Sequence, residues 1–207
     1  MAVTILSVLE DARPSIGSAI PDRTLIWGIR KSAREFCRRS RYLRETVILD
    51  VVAGQVYYEV DPTMPETESI EAKAVEVGSS PLTPSSFEEN PQAYGAATAW
   101  VWEPPNEVWP TPIPTKDIED GLAVRLILQP TADAETLPDY LMRYNREAIT
   151  EGSLAYILSM KNMPWYNPGE ADRAKAEFIR RSNAARASAD RAHRPRSFRT
   201  IPAWRKP

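Results

Sequence analysis

Nucleophiles and metal ligands are scarce in this chain of 207 residues. It has one cysteine, Cys37, and one histidine, His193. A single cysteine excludes an intrachain disulfide and suits a reducing compartment. A Ser/His/Asp triad needs a histidine held by a third group. His193 sits instead in a basic terminus with no helical or strand period, and Cys37 falls on the apolar arc of a predicted helix. Metal sites built from Cys and His fail on number. No D-x-D or E-x-x-H spacing singles out a carboxylate site among the many acids. The 8 glycines are scattered, with no GxGxxG and no GxxxxGK[ST], so no phosphate cradle is expected. No apolar run approaches the ~20 residues of a membrane span. The expectation is an interaction protein rather than an enzyme, with no catalytic residue, no metal, no cofactor and no membrane contact.

Charge is plentiful and sorted by position. Residues 1–44 hold nine Lys/Arg and four Asp/Glu, net +5, whereas residues 45–140 hold three and 18, net −15. Residues 171–207 hold 11 and three, net +8. The sorting has two readings. Either a basic helical part balances an acidic sheet inside one chain, or subunits and partners meet acid to base.

Hydrophobic spacing predicts the elements. The stretch 137–165 (LPDYLMRYNREAITEGSLAYILSMKNMPW) reads as one long helix over 139–161. Asp139 caps it in this reading, Asn162 and Pro164 stop it, and Leu141, Tyr144, Ala148, Ala155 and Leu158 form its core stripe. Ala148, Gly152, Ala155 and Ser159 make a row of small side chains. A mid-helix glycine costs about 1 kcal/mol relative to alanine, so Gly152 points to close helix packing. Residues 168–192 form the expected partner, with Asn167 as cap and a seam of Ala171, Ala174, Phe178, Ser182, Ala185 and Ala189. The short PWYNP link makes the two antiparallel neighbours. Residues 3–12 read as a short amphipathic helix and residues 22–41 as another, capped by Asp22, with Leu25, Ile26, Ile29, Ala33, Phe36 and Cys37 on one arc. Between them and the long helix the period changes to two. Residues 46–60 read as a β-hairpin turning at Ala53-Gly54, 69–77 as a strand of wavering phase, 84–90 as a loop with one helical turn, and 122–129 as the last strand.

Three stretches invite a partner. Trp27, Arg30, Arg34 and Arg38 share the polar arc of the second helix. They form either a solvated face or an interface with another subunit or partner, anchored by the tryptophan. Residues 100–115 hold Trp100, Trp102 and Trp109 among Pro104, Pro105, Pro110, Pro112 and Pro114. This is either sheet cover or a presented recognition loop in which Trp109, Pro110 and Pro112 face a partner. Residues 193–207 are basic, carry three prolines and space Phe198, Ile201 and Trp204 at three-residue intervals among Arg194, Arg196 and Arg199. They are either a disordered tail or an extended arm whose aromatic and arginine anchors grip a partner.

The run AREFCRRSRYLRET, the AGQVYYEV segment, the LPDYL and AITEGSLA strings, PWYNP and AKAEFIRRSNAARASADR follow one another in an order that resembles the adaptor, head-completion or tail tubular A-like, proteins of short-tailed bacteriophages. The likeness spans about residues 20–191. It implies an α+β chain: a bundle of about four helices (1–44 and 137–192) with an inserted antiparallel β domain (45–130), to which the residues themselves add an extended C-terminal arm (193–207). It also implies a virion protein, assembled in the host cytoplasm, in a homo-oligomeric ring of twelve copies. Such a ring docks between the portal protein and a tail nozzle or tube protein and lets DNA pass without specific binding. The arginine arc and the basic arm leave a second reading, a nucleic-acid-binding protein whose affinity falls steeply with salt.

Overall fold

Asp22–Ser40 folds as helix α1 because Leu25, Ile29, Ala33, Phe36 and Cys37 recur on one face, and all five are buried. The computed structural model in which this is seen describes residues 2–8, 20–86 and 93–192. Helix α1 ends where Arg41 turns left-handed, its N–H donating to Cys37 O. The N-cap is Pro21, so Asp22 sits one residue inside the helix. Its negative charge there favours the positive end of the helix dipole.

Two further helices complete the bundle, α2 (Asp139–Leu158) and α3 (Pro168–Ala192). The seam expected on α3 is buried at all six positions. Asn167 caps α3 through its Oδ1, which accepts from Glu170 N at 3.2 Å. Gly152 has the packing reason its cost suggested. A Cβ there would collide with Ser32 Oγ of α1 and lie 2.7 Å from Phe178 Cδ2 of α3. Gly28 of α1 does the same against α2, where a Cβ would lie 2.8 Å from Ile157 Cδ1. Three helices thus meet at glycine and serine, and Ser32 Oγ satisfies itself by donating to Ile149 O at 2.7 Å.

Leu141 and Ala148 of the stripe read for α2 are buried, but the buried face is wider and turned away from Tyr144. Met142, Ile149, Leu154 and Ile157 are buried, whereas Tyr144 is 65% exposed. The helix packs on α1 as well as α3, and the second contact draws in a face that a single stripe does not predict. Asp139 pairs with Arg143 at 2.7 Å, and no side-chain bond caps this helix, whose N-cap is Pro138. It ends at Leu158, three residues earlier than expected.

The strands lie between α1 and α2 in the chain. One sheet has the order β2 (Arg44–Val51), β9 (Ile118–Pro130), β4 (Thr67–Val77), β5 (Ser80–Pro81), and is antiparallel throughout. A second has the order β3 (Tyr58–Glu59), β8 (Glu107–Thr111), β7 (Ala99–Glu103), β6 (Thr83–Pro84), with only β6–β7 parallel. A two-stranded piece joins β1 (Ala2–Thr4) to β10 (Thr136–Pro138). One buried cluster runs without a break from Phe36 and Ile149 in the bundle to Val124 and Leu126 in the first sheet and Val108 in the second.

Four readings need correction. Residues 46–60 are not a hairpin: the turn at Ala53-Gly54 exists, with Gly54 at φ +79, but β2 pairs with β9 and β3 with β8. Residues 2–4 form a strand, with helix over 5–8; residues 9–12 lie outside the described residues. Thr83–Pro84 is a strand where a helical turn was expected, and 87–90 lie outside the described residues. Residues 122–129 are not the last strand, since β10 follows; they belong to the central strand β9, whose Ile127 and Gln129 are buried along with Val124, Leu126 and Leu128 because both faces are covered there. The wavering phase of 69–77 has a cause: β4 carries register shifts between Ser69 and Glu71 and between Ala72 and Ala74.

Candidate assembly surfaces

The arginines of α1 are held inside the chain. Arg30 Nε donates to Ala134 O at 2.7 Å. Arg34 Nη2 donates to Glu68 Oε1 at 2.7 Å, and Arg38 Nε to Gln129 Oε1 at 2.7 Å. Gln129 passes the network on, its Nε2 donating to Glu68 Oε1 at 2.5 Å. Arg41 pairs with Glu71 at 3.3 Å. Helix α1 is therefore laced to β4, β9 and the turn before β10 by charge-assisted bonds, which are stronger than neutral ones. This is the acid-to-base balance expected within one chain. Gln129 is the buried centre of the lacing, and nothing in its sequence neighbourhood marks it.

Trp27 behaves differently. It lies at the rim of the arginine arc, is 43% exposed, and meets Tyr156 of α2 edge-on at 6.3 Å between ring centres. Lys31 Nζ sits over both rings, 4.8 and 4.5 Å from their centres, a cation–π geometry. Met163 and Tyr166, both more than 40% exposed, lie in the link that follows the same end of α2. The opposite end carries a second aromatic group. Tyr42 stacks on Tyr140 at 5.0 Å, and Tyr140 meets Tyr144 edge-on at 5.6 Å. Burial is the main influence raising the Tyr42 hydroxyl to about 12, with its bond to Tyr140 next. Tyr140 and Tyr156 are separated by 16 residues of one helix, hence by about 24 Å.

The Trp/Pro stretch is a β-hairpin of β7 and β8 rather than an extended proline loop. Its turn, residues 104–106, joins Glu103 to Glu107. Trp100, Val101, Val108, Pro110 and Thr111 are buried, and Pro112 is half-buried. Trp109 is half-buried, stacks on the exposed Tyr57 at 5.5 Å and donates from Nε1 to Glu107 Oε2 at 3.2 Å. The anchors expected on the arm, Arg194, Arg196, Phe198, Arg199, Ile201 and Trp204, lie outside the described residues.

Reactive chemistry is thin on these surfaces. Cys37 is fully buried, and desolvation pushes its thiol far above the ordinary range, so it stays protonated. Among the described residues no group of three or more His, Cys, Asp and Glu is arranged to hold a metal ion. None of the described helices is long and apolar enough to cross a membrane.

No curated protein matches the sequence. Residues 3–200 match the SU10 adaptor protein family. That span takes in every described element from α1 to α3, which accounts for the order of motifs that pointed to phage adaptors. A structural adaptor of bacteriophages also suits a chain whose exposed features are aromatic contact surfaces rather than reactive groups: the chain belongs to the SU10 adaptor protein family.

Proposed function

We propose that the protein is one subunit of a closed ring, of twelve copies, that joins the portal to the tail and continues the DNA channel. The supporting observation is the pair of unlike aromatic groups about 24 Å apart on one continuous core. A piece that joins two different partners needs two different surfaces at a fixed separation, and a ring needs heterologous patches because an isologous contact stops at a dimer. Trp27 and its Lys31–Tyr156 neighbours make one contact, with the portal or the next subunit. The Tyr140–Tyr144 end makes another. The tail-facing role expected of Trp109, Pro110 and Pro112 narrows to Trp109 and Pro112, because Pro110 is buried.

DNA binding as the main activity loses its best surface. Arg30, Arg34 and Arg38 already donate to Ala134, Glu68 and Gln129. Phosphates would have to displace those bonds.

The test is assembly with the portal. Wild-type protein mixed with portal should give a twelve-fold ring by electron microscopy and native mass spectrometry. Trp27→Ala should weaken ring formation at least tenfold, the cost of an aromatic hot spot of roughly 1.4–2 kcal/mol, with little change in thermal midpoint. A chain that stays monomeric and unbound at high portal concentration defeats the proposal.

A further inference from the structure

The β region carries a groove that none of the contacts above fills. Leu49, Val56 and Tyr57 line it, with Asp50 and Glu59 at its rim, and its volume is about 620 Å³. Tyr57 continues onto Trp109 by stacking, and Val52 beside it is 47% exposed. No lysine or arginine lines the groove. Its walls are fixed. Tyr58 Oη donates to Val52 O at 3.2 Å and accepts from Val52 N at 3.0 Å, while Gly54 N donates to Pro114 O at 2.8 Å and Ala53 N to Asp117 Oδ1 at 2.7 Å. A pre-organised aromatic floor with an acidic rim fits an extended segment rich in arginine and proline, which docks with little ordering cost to the groove.

We infer that this groove receives residues 193–207 of a second copy of the chain. That segment carries Arg194, Arg196, Arg199, Arg205 and Lys206, no acid, and Pro195, Pro202 and Pro207 around Phe198, Ile201 and Trp204. Its charge is opposite to that of the groove, and its rings and prolines match the aromatic floor. The geometry allows the crossing. Helix α3 ends at Ala192, with Asp190 tied to Arg44 at the start of β2 at 3.0 Å. Asp50 of the groove is six residues further along β2, about 20 Å away. Fifteen residues reach up to about 50 Å when extended, so length remains to span to a neighbouring subunit. Segment and groove are unlike patches, and together they form the head-to-tail contact that a closed ring requires. The inference rests on the ring reading and names the contact that closes it.

The experiment uses full-length chains carrying photoreactive benzoylphenylalanine in place of Trp204, with unlabelled and ¹⁵N-labelled copies mixed in equal amounts. After irradiation and digestion, mass spectrometry should find mixed-isotope cross-links to the peptide holding residues 49–59. Glu59→Arg, on an exposed rim residue, should lower that cross-link about fivefold without changing the thermal midpoint, and Tyr57→Ala should lower it further. Cross-links confined to one copy, or joining two copies elsewhere, overturn the inference. So does an unchanged yield in Glu59→Arg. Failure here with rings still forming on the portal leaves the proposed function standing. Cross-links at the groove without portal binding would defeat that function and keep this contact.

Discussion

Helix α1 presents two seams of opposite character. One side meets α2 and α3 through Gly28, Ser32 and Gly152, where a single methyl group does not fit. The other meets the sheets through Arg30, Arg34, Arg38 and Arg41, whose long side chains span the gap and end in charged bonds. The first seam is governed by shape and tolerates nothing added. The second is governed by charge, is partly open to water, and gives way gradually. Residue type decides the tolerance: interiors are packed like crystals, whereas half-exposed ion pairs are screened and individually weak.

The sharpest break in that comparison is Gly152→Ala. At an exposed helix position this change gains about 1 kcal/mol. Here the added methyl must displace Phe178 or break the Ser32–Ile149 bond, so the sign reverses. The expected loss is about 2 kcal/mol, lowering the thermal midpoint by about 5 °C in a calorimetric scan. A midpoint that rises would show the helix crossing to be looser than the structure has it.

Charge reversal comes next. Arg34→Glu with Arg38→Glu sets two carboxylates against Glu68 and strips buried Gln129 of a donor, at a cost of about 1–2 kcal/mol. The effect should fall on the fold of the single chain, measured by urea unfolding, before it touches assembly. An unchanged midpoint together with blocked ring formation would return these arginines to an intersubunit role.

The smallest effect lies on α3, where Arg180 pairs along its own helix. Arg180 and Arg181 bond Glu177 and hold its carboxyl down to about 2. Because the folded value lies below the ordinary one, this contribution is present above the usual carboxylate range and is lost as pH falls toward 2. Arg180→Gln should therefore shift the thermal midpoint at pH 7 by no more than about 1 °C. It should also flatten the acid limb of a midpoint-against-pH curve slightly. A larger shift at pH 7 would mean that Arg180 does more than support its helix.

The sequence by itself determined the helices and their seam. Ala174, Phe178 and Ser182 recur at a helical interval, and Gly152 inside a helix signals close packing because only a near neighbour repays its cost. Motif order was enough to point to the family. Tertiary structure alone decided strand pairing and the fate of the arginines. The turn at Ala53-Gly54 fixes only the local chain direction, whereas β2 finds its partner in β9, where Val47 faces Val124 across the pair. Likewise a 100° spacing gathers Arg30, Arg34 and Arg38 on one arc, but their partners lie 104, 34 and 91 residues away. Periodicity reports which side of a helix is polar; what that side touches depends on contacts between residues far apart in the chain, which no local pattern encodes.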